Sequence, residues 1–160
     1  AGSTWRYWDQ GTTPAGWNQP GYDAGGWPSG PAQLGYGEGD QATTVSFGPS
    51  ATQKHLTTYF RTSFGATRAP TTLTLDLVAD DGAVVYLNGV EVLRDNMPAG
   101  TVTVDTYSGS GRWGAAENAW RSFALPTALV QPGTNTLAIE IHQESRTTSD
   151  MSFDAALRSS

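Results

Sequence analysis

The sequence predicts an all-β domain, a two-sheet antiparallel β-sandwich, and three observations carry that prediction. Short runs rich in β-branched and aromatic residues recur between turn signals, with 19 glycines and 9 prolines punctuating 160 residues. No stretch keeps a helical period over a helix-length window. The segment Leu73 to Leu93, LTLDLVADDGAVVYLNGVEVL, packs three strand patterns into one short span. Such a group cannot bury its apolar face alone, so the rest of the chain must supply a second layer.

Residues 1–4 read as a tether, and a single domain runs from Trp5 to Leu157. Trp5 to Trp8 is a first strand with alternate aromatics facing in. Asp9 to Asp40 is dominated by Gly, Pro, Gln and Trp, too irregular for long strands and too aromatic for disorder. It reads as a packed loop pinned by Trp17, Tyr22, Trp27, Leu34 and Tyr36. Thr43 to Phe47 is a short strand and Leu56 to Phe64 a longer one, its Phe-bearing face buried and Tyr59 and Arg61 on the outer face.

Leu73, Leu75 and Leu77 alternate with Thr74, Asp76 and Val78, the pattern of a strand with one buried face. Asp80-Asp81-Gly82 turns the chain into Ala83–Leu87. Asn88-Gly89, the dipeptide that most readily takes positive φ, turns it again into Val90–Leu93. Further strands are expected at Thr101–Tyr107, Trp120–Ala124, Thr136–Ile141 and Ser152–Leu157, with a helical turn at Pro126–Val130. In Thr136–Ile141, Leu137, Ile139 and Ile141 face in and Glu140 faces out, followed by an outward His142.

A net charge of −6 makes nucleic acid and anionic membranes poor partners. The absence of cysteine excludes disulfides and thiolate metal sites, and no run is long enough to cross a bilayer as a helix. Low lysine content, six tryptophans and abundant Thr, Ser and Gly fit a secreted or cell-surface module of a larger protein.

Taken as a set, YDAGGWPSGPAQLGYGEGD, TTYFRTSF, ADDGAVVYLNGVEVLRDNMPAG, PGTNTLAIEIHQ and SDMSFDAAL resemble the galactose-binding-domain-like jelly-roll modules appended to bacterial secreted enzymes and surface proteins. VYLNGVEV and GTNTLAIEI also resemble the sugar-binding jelly roll of large glycoside hydrolases. The resemblance covers nearly the whole chain and implies a jelly-roll β-sandwich and carbohydrate binding. Related jelly rolls often carry a structural calcium. The acidic residue in FDAAL, Asp154, resembles one of its usual ligands, and Asp23, Glu38 and Asp40 are candidates to join it.

The polar residues Asp80, Asp81, Glu140, His142, Gln143 and Asp150 form the leading candidate site. If Ala83–Asn88 lies antiparallel beside Thr136–Ile141, the Asp80-Asp81 turn and the His142–Asp150 loop meet at one end of the sandwich. Carboxylates, an imidazole and an amide gathered there supply the donors and acceptors that sugar hydroxyls need, or oxygen ligands for calcium. In the alternative, Asp80 and Asp81 cap a turn while Glu140 and His142 form a solvated ion pair.

Aromatic faces stack on the C–H faces of sugar rings. Trp113, beside Arg112 in a Gly/Ser-rich loop, leads as an exposed platform, with Trp27 and Trp17 next. Trp5, Trp8 and Trp120 are expected inside. The outer strand face bearing Tyr59 and Arg61 is the reserve surface.

Ser108-Gly109-Ser110-Gly111 lacks the spacing of a nucleophile elbow, and His55 and His142 lack zinc-ligand spacing. A carboxylate pair for glycoside hydrolysis could come from Asp80, Asp81, Glu140 or Asp150, but the resemblance and the size of the chain imply instead a non-catalytic module that anchors a covalently linked catalytic domain to a polysaccharide. A structural or adhesion spacer and a small glycan hydrolase are the alternatives.

Overall fold

In the computed structural model, which describes residues Ala1 to Ser160, the period-two patterns become eleven strands in two facing sheets. The larger sheet has the spatial order β2 (Ser29–Pro31), β1 (Thr4–Trp8), β5 (Thr57–Ala66), β10 (Gly133–His142), β7 (Gly82–Leu87), β8 (Val90–Asp95). The smaller has the order β4 (Thr43–Thr44), β3 (Leu34–Tyr36), β11 (Met151–Ser159), β6 (Leu73–Ala79), β9 (Arg121–Ala124). Every neighbouring pair is antiparallel except β3 with β4. The predicted β-sandwich is the fold.

Alternation puts Leu73, Leu75 and Leu77 of β6 in one buried cluster with Leu137, Ile139 and Ile141 of β10. Phe60 and Phe153 stack between the sheets with ring centroids 4.0 Å apart, and Trp5 meets Phe153 edge-on at 5.0 Å. Each fully buried side chain of this size contributes about 1.5–3 kcal/mol, so this layer dominates the stability of the fold.

A second cluster covers the outer face of the larger sheet, where Trp17, Ala24 and Trp27 pack on Tyr59 and Ala138. The Asp9–Pro28 segment is thus the packed loop its composition predicts. The Arg61 guanidinium fixes it by donating to the carbonyls of Trp17 at 2.7 Å and Pro20 at 3.2 Å. Trp17 and Trp27, expected as further sugar platforms, are each only 5% exposed. Tyr59 and Arg61 are buried as well, because the same loop covers the face on which they stand. The rest of the predicted loop, from Ser29 to Asp40, contains β2 and β3, two strands too short for alternation to reveal.

Three further expectations are corrected. Asp80-Asp81 does not close a hairpin within one sheet, because β6 and β7 belong to opposite sheets and the aspartates cross between the layers. Both are consequently buried. Thr101–Tyr107 is no strand, although its exposure alternates residue by residue. Its carbonyls are taken by side chains, Val104 O accepting from Thr57 Oγ1 at 2.8 Å and Thr106 O from His142 Nδ1 at 2.7 Å. Trp120, expected inside, is 45% exposed because it precedes β9, an edge strand.

The predicted Asn88-Gly89 turn holds, with φ of 51° and 83° and Leu87 paired to Val90 across it. The helical turn at Pro126–Val130 is a short 3-10 turn over Thr127–Leu129.

Candidate functional site

Antiparallel pairing brings a group of loops to one end of the sandwich. His142 pairs with Gly82, Ala83 with Asp95, and Met151 with Tyr36, so the β6–β7 crossing, the start of the long segment after β8, the β10–β11 loop and the start of the β3–β4 loop all lie there. Asp80-Asp81 and the Gln143–Asp150 loop therefore meet, as the strand order implies.

Asp81 organises this end. Its Oδ1 accepts the Arg112 amide at 2.6 Å and its Oδ2 accepts the Glu144 amide at 2.8 Å, so one carboxylate ties two loops to the crossing. Hydrogen bonds to an ionised group are the strong kind. Arg112 adds a second tie, donating to Ala79 O at 2.7 Å and to Asp95 Oδ1 at 2.8 Å. Arg121 completes the clamp through Asp95 Oδ2 at 3.0 Å.

Between the two loops lies a cleft of about 280 Å³ lined by residues that include Asp81, Arg112, Trp113, Glu144, Thr147 and Asp150. Trp113 is 71% exposed. Its ring folds over Gly111, where a β-carbon would come within 2.5 Å of the indole and 2.9 Å of the Glu144 carboxyl carbon. A glycine at that position is what lets the indole lie against the cleft. The result is an aromatic wall beside hydroxyls and carboxylates.

The other candidate residues are distributed differently. Gln143 is buried and donates from Nε2 to Asp80 O at 3.0 Å, leaving Oε1 without a partner. Glu140 and His142 do not reach the cleft and form no solvated pair. They are buried on the outer face of the larger sheet beneath the Thr101–Tyr107 segment, His142 Nε2 lying 3.6 Å from Glu140 Oε1. The bond to Thr106 O places the imidazole proton on Nδ1, and Tyr86 donates its hydroxyl to Glu140 at 3.1 Å. Burial, followed by the Glu140 charge, holds the Tyr86 phenol above its ordinary range.

Asp23, Glu38, Asp40 and Asp154 do not assemble as one ligand set. The Asp23 carboxylate caps the Gly25 amide at 2.8 Å on the larger-sheet side. Asp154 accepts the Gly2 amide at 3.2 Å and lines a shallow hollow with Asp40 on the smaller sheet. Glu38 instead joins Glu117 and Asp150, their carboxylate oxygens lying within 4.8 Å of one another. This acidic cluster can hold an ion. A hydrogen bond to Asp150, then burial, raises Glu38 to about 7. Burial, then the adjacent Asp81 charge, raises Asp80 to about 9.

Sequence reasoning missed the residues that hold the loops. Lys54, 7% exposed, donates to Thr148 O and lies 4.9 Å from the Phe47 ring centroid. Arg146 bridges Lys54 O at 3.0 Å and Asp105 at 2.6 Å. A lone Lys in an uncharged stretch was the available signal for the first. Glu117, in a Gly/Ala-rich segment, gave none.

No protein-family model matches the sequence, and none of the curated proteins matches it. Solved structures do match its fold. A β-glucuronidase from glycoside hydrolase family 2 is 16% identical over 88% of this chain, with a TM-score of 0.58. A β-glycosidase from Bacteroides vulgatus is 12% identical over 99%, with a TM-score of 0.57. A calcium-binding mutant of Bacteroides uniformis β-glucuronidase 2 is 15% identical over 95%, also with a TM-score of 0.57. This chain spans 13%, 20% and 17% of those three chains. At such identities the likeness is one of fold, to a β-sandwich portion of much larger glycosidases.

Proposed function

We propose that this domain is a non-catalytic glycan-binding module of a larger, exported carbohydrate-active protein, and that it grips its polysaccharide at the cleft between Trp113 and the Glu144–Asp150 loop. The observation that carries the reading is the exposed Trp113 indole standing over a polar cleft whose walls Asp81 fixes. An amphipathic ring beside hydroxyls and carboxylates matches the two faces of a pyranose. The fold likeness to portions of glycosidases supports a place beside a catalytic domain.

The non-catalytic assignment is supported by how the polar groups are occupied. Asp81 is held by two backbone amides, while Asp80, Glu140 and His142 are buried. Of the carboxylates that could serve a small glycan hydrolase, Asp80 and Glu140 are thus closed off from solvent and Asp81 is held by the backbone, which leaves Asp150 alone of that set at the cleft.

The test is retention on a panel of insoluble polysaccharides, followed by titration of the best soluble fragment into the wild type and Trp113→Ala. Truncating an aromatic anchor costs more than about 1 kcal/mol at an interface, so the variant should bind roughly 5- to 30-fold more weakly at an unchanged melting temperature. Wild-type affinity in Trp113→Ala sinks the cleft assignment and turns attention to the groove of about 480 Å³ lined by Arg6, Tyr22 and Arg61. Failure of the wild type to retain any glycan favours the spacer reading, and release of reducing sugar favours the hydrolase.

A further inference from the structure

We propose that the groove on the outer face of the larger sheet is a second ligand site, which takes a saccharide carrying a carboxylate and holds that carboxylate on the unbonded edge of Arg6. The groove encloses about 480 Å³ and is lined by Arg6 and Arg61 together with Ser29, Ser63 and Thr136. That volume lies within the range of small-molecule sites.

Strand register builds the groove. Arg6 on β1 stands directly opposite Arg61 on β5, with Ser29 on β2 opposite Arg6 on its other side. Ser63 pairs with Thr136 on the same outward face. Like charges directly opposite one another on a sheet are destabilising, and here neither has a counter-ion. Five of the nine basic residues, Arg94, Arg112, Arg121, Arg146 and Arg158, pair with a carboxylate. Arg6 and Arg61 instead donate to backbone carbonyls, Arg6 to Gly25 O at 3.3 Å and Trp27 O at 3.0 Å, Arg61 to those of Trp17, Pro20 and Tyr22. The Tyr22 ring, 5.7 Å from the Arg61 guanidinium carbon, offers a π face where an anion would otherwise stand. Burial holds the Arg61 guanidinium below its ordinary range, and Tyr22 offsets part of that. An anion in the groove would relieve the pair.

Arg6 has the means to hold one. It is exposed, and it bonds the protein through Nη1 alone, which leaves the edge formed by Nε and Nη2. By that same edge Arg94 grips both oxygens of Glu91 and Arg158 both oxygens of Asp76. Such paired bonds are the strong, geometrically specific mode of carboxylate recognition. The Ser29, Ser63 and Thr136 hydroxyls supply the donors and acceptors that sugar hydroxyls need. The net charge of −6 repels anions at a distance, so recognition must come from short-range contact, which a guanidinium already fixed on Gly25 and Trp27 provides. Asp23 lines the groove as well. Its Oδ1 accepts the Gly25 amide at 2.8 Å, and its charge opposes an incoming anion. That the carboxylate rides on a saccharide rests on the glycan-binding reading; that the site takes a carboxylate does not.

Trigalacturonate, a short uronic-acid oligomer, and its methyl ester, the same backbone without the charge, are titrated into the wild type by calorimetry. The acid should bind at least about 10-fold more tightly than the ester, the margin that charged hydrogen bonds add. Arg6→Ala should lose that margin. Arg6→Lys, which keeps the charge and drops the fork, should fall between the two, and Asp23→Asn should bind the acid more tightly than wild type. Arg68→Ala, which removes an exposed arginine outside the groove, should titrate as wild type. Equal binding of acid and ester, no heat with the acid, or wild-type titration of both Arg6 variants overturns the site. A glutamate tripeptide held as tightly as the acid overturns the saccharide. The readout is the margin of acid over ester, whereas the cleft assignment stands or fails on neutral glycan and Trp113→Ala, so the two failures are told apart.

Discussion

Tyr59 stands edge-on to Trp17 at a centroid distance of 4.7 Å, with its hydroxyl 2.5 Å from Thr13 Oγ1. Burial pushes the phenol up to about 12, the Thr13 hydrogen bond offsetting part of that and the Glu140 charge adding to it. A folded value above the unfolded one, about 10, means that Tyr59 contributes stability in full below pH 10 and loses it as the pH rises through about 12. Melting curves across that window should fall with pH, and Tyr59→Phe should reduce the slope. A slope unchanged in the variant would assign the alkaline loss to other groups. Asp81 makes a contrasting case. Its two oxygens hold two backbone amides, so Asp81→Ala should destabilise the domain by on the order of 3 kcal/mol in urea denaturation. Its position after a strand was legible in the sequence, whereas its amide partners at Arg112 and Glu144 were not, since nothing local records a contact across the fold.

The β10 strand is the element that carries both layers. Ile139 is fully buried between Phe60 on β5 and Val85 on β7 in register, and Ile139→Ala should cost about 2–5 kcal/mol, read as a lower denaturation midpoint at unchanged slope. Strands such as β6 and β10 were readable because their apolar period is long enough to be distinct. The short β2 and β3 were not, being stabilised by pairing rather than by pattern. Thr101–Tyr107 shows the converse, a real period-two exposure whose backbone partners are the Thr57 and His142 side chains. The cleft itself was half legible. Trp113 among glycines announced an exposed ring, while the acidic cluster drew Glu38 and Asp150 from separate predicted sets and Glu117 from none. Carboxylates that meet across about 110 residues of chain leave no spacing to read.

At the scale of the molecule, the last strand completes the smaller sheet from its middle. β11 lies between β3 and β6, so a chain ending at Asp150 should lose both ladders and show no cooperative unfolding by circular dichroism, and native-like melting of that truncation would contradict the topology. Because β3 must await β11, and β5 must await β10, refolding should be slow for a domain of this size, in the millisecond-to-second range of sheet proteins built from distant pairs. The six tryptophans divide along the same architecture, with Trp5, Trp17 and Trp27 sealed in the two clusters and Trp113 open to solvent. This partition gives the protein an optical reporter without any label. The red edge of its emission should come chiefly from Trp113 and the half-exposed Trp120. A neutral quencher should extinguish that edge first and leave a blue-shifted remainder, and any molecule seated against Trp113 should shield its share of the light.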